Sequence, residues 1–191
     1  MKYALDLCSG TKSALAAFDA SPEWEVVTVD IDRELNPTHV LDLTDEEHRM
    51  RLLMLYPPQH FSLIWASPDC IGFYNALAPW QPDYGLPPDM NLVRGIKELI
   101  VNLAPDVWVI ENTRSGSHFL NDDLGDWRQV VGPFFLYGNF PMLDARIEPG
   151  HKASVDPGPG HPHRSLMRAA IPLELSKSLF RAILTQSKLP I

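Results

Sequence analysis

Short apolar segments alternate along this chain with helix-patterned stretches, and that alternation is the tightest constraint on its fold. Tyr3-Ala-Leu-Asp-Leu-Cys8, Glu25-Val-Val-Thr-Val-Asp30, His39-Val-Leu-Asp42, Phe61-Ser-Leu-Ile-Trp-Ala66 and Asp106-Val-Trp-Val-Ile-Glu111 have strand length and largely apolar or β-branched interiors. Between them, Ala14–Phe18 and Glu46–Leu55 carry helical spacing, as does the stretch from an Asp89 cap through Leu92, Ile96, Leu99, Ile100 and Leu103. Strands that alternate with helices predict right-handed crossovers. The expected class is therefore α/β, a doubly wound, mainly parallel sheet covered on both faces. Gln129–Tyr137 reads as one further strand. Glu148–Ser165, dense in Gly, Pro and His, reads as a long loop, and Pro172–Leu184 as a closing helix.

Ligands of doubly wound sheets bind at the carboxyl ends of the strands. This singles out Asp6 with Cys8–Ser13, then Asp30, Asp42, Ser67–Cys70, and Glu111 with Asn112, all predicted to share one edge. Gly10 lets backbone approach a ligand. An acid at the end of a second strand is placed to hold ribose hydroxyls, which is where Asp30 falls, and Asp42 could accept from an adenine amino group. Taken singly, Asp6, Asp30 and Asp42 are each better explained as a cap or turn former. Their joint placement favours a nucleoside ligand and leaves open a dinucleotide or S-adenosylmethionine. Lys12, where a second glycine would stand, disfavours the pyrophosphate-binding pattern.

The chain has 191 residues, 45% of them hydrophobic, with no shift in composition that would divide it, so residues 1–191 are read as a single domain. No apolar run approaches bilayer length, and the start lacks a secretory h-region. A soluble, cytoplasmic protein without membrane contact is expected. Cys8 and Cys70 are too few for a disulfide scaffold. A formal charge of −8 argues against strong nonspecific nucleic-acid binding, which needs clustered cations. The one locally basic stretch runs from Arg146 to Arg168, with His151, Lys152, His161, His163 and Arg164 against Glu148 and Asp156. It is the candidate nucleic-acid loop, residues 146–168. His161-x-His163 without a third ligand does not make a metal site, and none is expected.

With these residues in place, the sequence resembles the DNA cytosine-5 methyltransferases, in particular their short phage-type members. Asp6-Leu-Cys-Ser-Gly-Thr-Lys-Ser13 is similar to the family's first motif, Asp-Leu-Phe-x-Gly-x-Gly-Gly. Asp30 and Asp42 fall on the acids of the second and third. Ala66-Ser-Pro-Asp-Cys-Ile-Gly-Phe-Tyr74 aligns without a gap on Gly-Gly-Pro-Pro-Cys-Gln-Gly-Phe-Ser, placing Cys70 on the nucleophile. Val109-Ile-Glu-Asn-Thr113 resembles the Glu-Asn-Val motif, and Tyr137-Gly-Asn-Phe-Pro with Ala145-Arg-Ile resembles the segment ending in Gln-x-Arg-x-Arg. Arg168-Ala-Ala-Ile-Pro172 stands where the family has Gly-Asn-x-Val-Pro. The departures are Cys8 for the aromatic against adenine, Asp69 for the second proline, Ala169 for the final asparagine, and the lack of a large target-recognition domain.

The resemblance implies a class I, Rossmann-like methyltransferase fold and S-adenosylmethionine as cofactor, held by Asp6, Cys8, Ser9, Gly10, Ser13, Asp30, Ile31, Asp42, Leu43 and Pro68. It implies Cys70, Glu111 and Arg146 as catalytic residues and Ser67 and Asn112 as substrate contacts, to which the basic stretch adds Arg164. Cytosine carbon 5 is a poor nucleophile until a thiolate has added to carbon 6, and a protonated Glu111 at N3 would relieve the developing charge. The target nucleotide must be flipped out or single-stranded. DNA is the expected partner, with RNA open, and a protein partner or homodimer would supply target recognition. Two alternatives stand beside this reading. One is an amino-methyltransferase acting on adenine N6 or cytosine N4, from the Ser67-Pro68-Asp69 sequence. The other is a cofactor- or DNA-binding pseudoenzyme, from the negative charge and Asp69.

Overall fold

A computed structural model describes residues 1–148, 150–161 and 164–186, with the backbone alone for Lys152, Ala153 and Gln186. His163 of the candidate loop lies outside the described residues. The chain runs β1 (Lys2–Leu7), α1 (Ala16–Asp19), β2 (Trp24–Asp30), β3 (His39–Val40), α2 (Glu46–Leu55), β4 (Leu63–Ala66), α3 (Ile71–Leu77) and α4 (Asn91–Leu103). It continues through β5 (Val107–Asn112), α5 (Arg114–Leu124), β6 (Gln129–Val131), β7 (Phe134–Asn139), α6 (His151–Ser154), α7 (Arg164–Ala169) and α8 (Leu173–Gln186).

The strands form one sheet ordered β3-β2-β1-β4-β5-β7-β6. β1 to β5 are mutually parallel, and β7 is antiparallel to both neighbours. This is the expected doubly wound, Rossmann-like architecture, with a reversed strand inserted next to the last. Alternation along each strand explains why both faces are covered. Leu5, Leu7, Val27, Val29, Ile64, Ala66 and Ile110 face α2 and α4, which contribute Leu52, Val93, Ile96, Leu99 and Leu103. Ala4, Leu63, Trp65, Val107 and Val109 face α1 and α8, which contribute Phe18, Leu175, Leu179 and Ile183. Each fully buried Leu or Ile among these is worth about 1.5–3 kcal/mol of transfer free energy.

Parallel pairing fixes the edge that matters. Leu7 lies beside both Val29 and Ala66, and Ala66 beside Ile110, so the first loop, Asp30, Ser67–Cys70 and Glu111 emerge together. Antiparallel β7 brings its beginning to the same place, because Asn112 pairs with Phe135.

Four expectations are corrected. Gln129–Tyr137 is a hairpin of two strands, since Gly132, at φ 59°, turns the chain before β7. The 148–165 stretch is not a continuous loop but contains α6 and the start of α7. These short helices are braced by Asp156, which takes two hydrogen bonds of 2.7 Å from Arg164 and an ion pair of 3.4 Å from Arg168. Asp89 stands one residue outside the N-cap of α4, and its Oδ1 accepts from the Asn91 N–H at 2.8 Å. The predicted strand His39–Asp42 is ladder only over His39–Val40.

Candidate active site

Loop 8–13 leaves β1 through three left-handed residues, Cys8 at φ 56°, Gly10 at 48° and Lys12 at 59°. Two of these carry a Cβ and are held against their preference. Asp30 closes the loop from below. Its Oδ2 accepts from the Gly10 N–H at 2.8 Å, while its Oδ1 accepts from the Asp32 N–H at 2.9 Å. Ser13 ties the loop to the far end of the chain, accepting from the Ile171 N–H at 2.8 Å. Beneath it, Asp6 is buried and neither carboxylate oxygen has a partner; the buried Ser9 hydroxyl has none either. Burial, reinforced by the charge of Asp30, holds the Asp6 carboxyl well above the usual range. The Cys8 thiol is likewise pushed far up by burial and by Asp30, Asp6, Asp69 and Asp42, in that order.

Asp42 is at the same edge, yet its Oδ1 accepts from both the N–H (2.9 Å) and the hydroxyl (2.7 Å) of Thr44, which lowers its pKa. Ile31 is exposed just past β2, whereas Leu43 is buried in the core.

The second half of the site is built around β4 and β5. Trp65 donates through Nε1 to the Ser67 hydroxyl at 2.8 Å, which fixes the start of the Ser67–Cys70 loop. Pro68 is buried. Asp69 turns toward the start of α3, where its Oδ1 accepts from the Ile71 N–H at 3.3 Å. Cys70 is half-buried and occupies the N-cap position of α3. From β5, Asn112 is 1% exposed and donates through Nδ2 to the Pro68 carbonyl at 3.0 Å. Its Oδ1 accepts from the Thr113 N–H at 2.9 Å. Glu111, the residue before it, is buried as well. The Cys70 loop and the Glu111 strand end are therefore tied by one side chain. Gly116 in α5 is required for this, because a Cβ there would stand 2.2 Å from the Asn112 Oδ1. Sequence reading missed Gly116; its only trace is its position four residues after Asn112, one helical turn on.

Arg146 reaches this edge by a separate route. The Gln129 side chain bonds the backbone of Leu143 in both directions, at 2.8 and 2.9 Å, covering the open edge of β6. The segment then follows β6 to its tip, where a Cβ on Gly132 would lie 2.5 Å from the Ile147 carbonyl oxygen. Arg146 is exposed beside that tip. Arg164 is instead committed to Asp156, so part of the basic character of the candidate nucleic-acid loop is neutralised internally.

Beyond Cys70 lies a feature that the sequence motifs do not announce. Residues 71–88 fold back on themselves, with the Gly85 N–H donating to the Ala76 carbonyl at 2.9 Å and Pro88 returning beside Gly72. The outside of this lobe presents Ile71, Tyr74, Trp80, Tyr84 and Leu86, with Trp80 73% exposed. No Lys or Arg occurs between Arg51 and Arg94, a gap in positive charge that is visible in the sequence. Under the lobe lies a cavity of about 220 Å³ lined by Pro68, Asp69, Gly72, Phe73, Pro88, Asp89, Leu92 and Val93. A larger one, about 330 Å³, lies between α4 and α5 and contains none of the candidate site residues.

The chain is 26% identical over 151 residues to a protein of Frog virus 3 (isolate Goorha) named "Probable DNA (cytosine-5)-methyltransferase". The match takes in 71% of this chain and spans 64% of the relative's length. No family model matches. Among solved structures, a protein assigned as a DNA modification methyltransferase from an E. coli prophage superposes with a TM-score of 0.47 at 18% identity, over 73% of this chain and 47% of that one. An S-adenosylmethionine-dependent methyltransferase from Aquifex aeolicus gives 0.38 at 13%, over 72% and 81%. None of the described helices is long and apolar enough to cross a membrane.

Proposed function

We propose that this chain is an S-adenosylmethionine-dependent DNA methyltransferase that acts on carbon 5 of cytosine through a covalent adduct with Cys70. The observation that carries the reading is the hydrogen bond from Asn112 to the Pro68 carbonyl, which locks the Ser67–Cys70 loop to the strand end bearing Glu111. A nucleophile and a proton donor on separate strands must be held in fixed relation to act on one ring. The viral relative, named for this chemistry, supports the same assignment.

The residues at the first loop fit the cofactor. Its sulfonium and ammonium groups are cationic, and Asp6 offers a buried, unpartnered carboxyl beside the unpartnered Ser9 hydroxyl. Asp6, Cys8, Ser9, Gly10 and Ser13 would hold the amino-acid part, Asp30 and Ile31 the ribose and adenine, with Asp42, Leu43 and Pro68 completing the site. When bound, the cofactor supplies the methyl group. Cys70 Sγ forms a bond to carbon 6 while Glu111 donates to N3 and Arg146 holds O2. The ring electrons so released make carbon 5 nucleophilic. After methylation the carbon 5 proton passes to water, its bonding electrons re-form the double bond to carbon 6, and the sulfur–carbon bond breaks with its electrons returning to the Cys70 sulfur, which restores the aromatic ring.

No base inside a duplex can reach Cys70, so the target is flipped out or single-stranded. The lobe at residues 71–88, which carries no cation, offers contact to bases rather than phosphates, with Trp80 and Tyr74 as stacking surfaces. Arg114, exposed at the start of α5, is left to meet the backbone, with Ser67 nearer the base and Asn112 acting through its hold on the Ser67–Cys70 loop. The decisive experiment is mass spectrometry of nucleosides from cells expressing wild type or Cys70→Ala. The expected result is 5-methylcytosine in the first only, and its presence in both, or N6-methyladenine instead, would overturn the proposal.

A further inference from the structure

Lys12 is in the left-handed region at φ 59°, where a residue with a Cβ is strained and glycine is not. Its side chain crosses from the first loop to the segment after β2, and Nζ donates to the Asn36 carbonyl at 2.6 Å. Asn36, at φ 51°, ends the 3-10 turn Arg33–Leu35 in the same left-handed conformation. Asp30 joins the same two pieces of chain from the inner side, one carboxylate oxygen on Gly10 and the other on Asp32. The 31–36 segment is thus tied at both ends. Its first residue, Ile31, is exposed.

We propose that Lys12 is a positioning residue for the cofactor: its bond to Asn36 holds the 31–36 segment against loop 8–13 so that Asp30 and Ile31 meet the nucleoside together. This rests on the methyltransferase reading above. It also accounts for the absence of glycine at this position, since the strain is offset by a charge-assisted bond that only a long cationic side chain can make. A loop free to swing would have to be ordered on binding, which weakens affinity without touching the chemistry.

The test uses Lys12→Gly, Lys12→Met and Lys12→Arg in the full chain. Three quantities are measured: calorimetric affinity for S-adenosylmethionine, thermal unfolding of the free protein, and the rate of trypsin cleavage after Arg33 without cofactor. Lys12→Gly relieves the backbone strain as it cuts the tie. It is expected to leave the melting temperature unchanged or higher while weakening the cofactor about tenfold and speeding cleavage after Arg33. Lys12→Met should weaken the cofactor to the same degree, and Lys12→Arg should retain most of the affinity and protection. Wild-type affinity in Lys12→Gly, or a loss of affinity matched by a loss of stability, would overturn the proposal. Wild type that binds no cofactor would overturn the methyltransferase reading and this one with it. Binding by wild type with unaltered cleavage after Arg33 in the variants would overturn this one alone.

Discussion

Asn112 donates through Nδ2 to the carbonyl oxygen of Pro68 across 44 residues of sequence, at 3.0 Å and out of contact with solvent. Cutting this bond leaves a buried carbonyl without a donor, so Asn112→Ala should cost about 1–3 kcal/mol of stability. Gly116→Ala pushes a methyl group to 2.2 Å from the Asn112 Oδ1 and should cost a similar amount, about 1–3 kcal/mol. Both act on one amide, so urea unfolding of the double variant should show clearly less than the sum. Additive costs would mean that the two positions are independent.

Cys70→Ala should abolish methyl transfer, a fall of roughly a thousandfold or more, and with it the adduct formed on DNA containing 5-fluorocytosine. Cys8 cannot substitute, because burial and four neighbouring acids keep its thiol protonated. A denaturation-resistant adduct in Cys70→Ala would remove Cys70 from the mechanism.

Asp6 gives the free protein a definite pH dependence. Its unfolded-state value is near 3.8, and burial raises the folded value above that. The folded state therefore binds the extra proton, and the contribution of Asp6 to stability is fully present below 3.8 and is lost as pH rises through the folded value. Asp6→Asn has no such proton. It should flatten this part of the profile, stabilise the free protein at neutral pH, and weaken S-adenosylmethionine, whose cationic groups favour the ionised carboxyl. Thermal unfolding from pH 4 to 8 with parallel calorimetry checks both directions. A variant that is both less stable and unimpaired in binding would contradict them.

Trp80→Ala should weaken a single-stranded oligonucleotide by about 1–3 kcal/mol, the range for loss of one stacked base. The salt dependence of binding should stay unchanged, since the lobe carries no cation. Arg114→Ala should do the reverse, lowering the slope of affinity against salt. Fluorescence anisotropy across a salt series separates the two, and a Trp80 variant with a reduced slope would place the lobe against phosphate.

The site was legible in the sequence as far as it depends on strand ends. Asp6, Asp30, Ser67–Cys70 and Glu111 were identified from apolar periodicity and the rule for doubly wound sheets, and the register sets them on one edge. Elements held by distant contacts were less legible. α3 and α5 lack a long apolar stripe and depend on each other through the stacked Phe73 and Phe119 rings, 5.8 Å apart. α7 is braced by Asp156, and the hairpin at Gly132 joins two strands whose residues read as one apolar run.

By itself the sequence determined the alternation of strands and helices, the acids and the thiol at the strand ends, and the cation-free run after Cys70, because these depend on short-range periodicity and composition. Tertiary structure decided which of those groups are already engaged. Asp42 is turned onto Thr44, Asp69 onto Ile71 and Arg164 onto Asp156, while Asp6 is buried with no partner. It also supplied the ties from Asn112 to Pro68 and from Lys12 to Asn36. Such bonds join residues far apart in the chain, and a hydrogen bond between them depends on tenths of an ångström that only the packed core fixes.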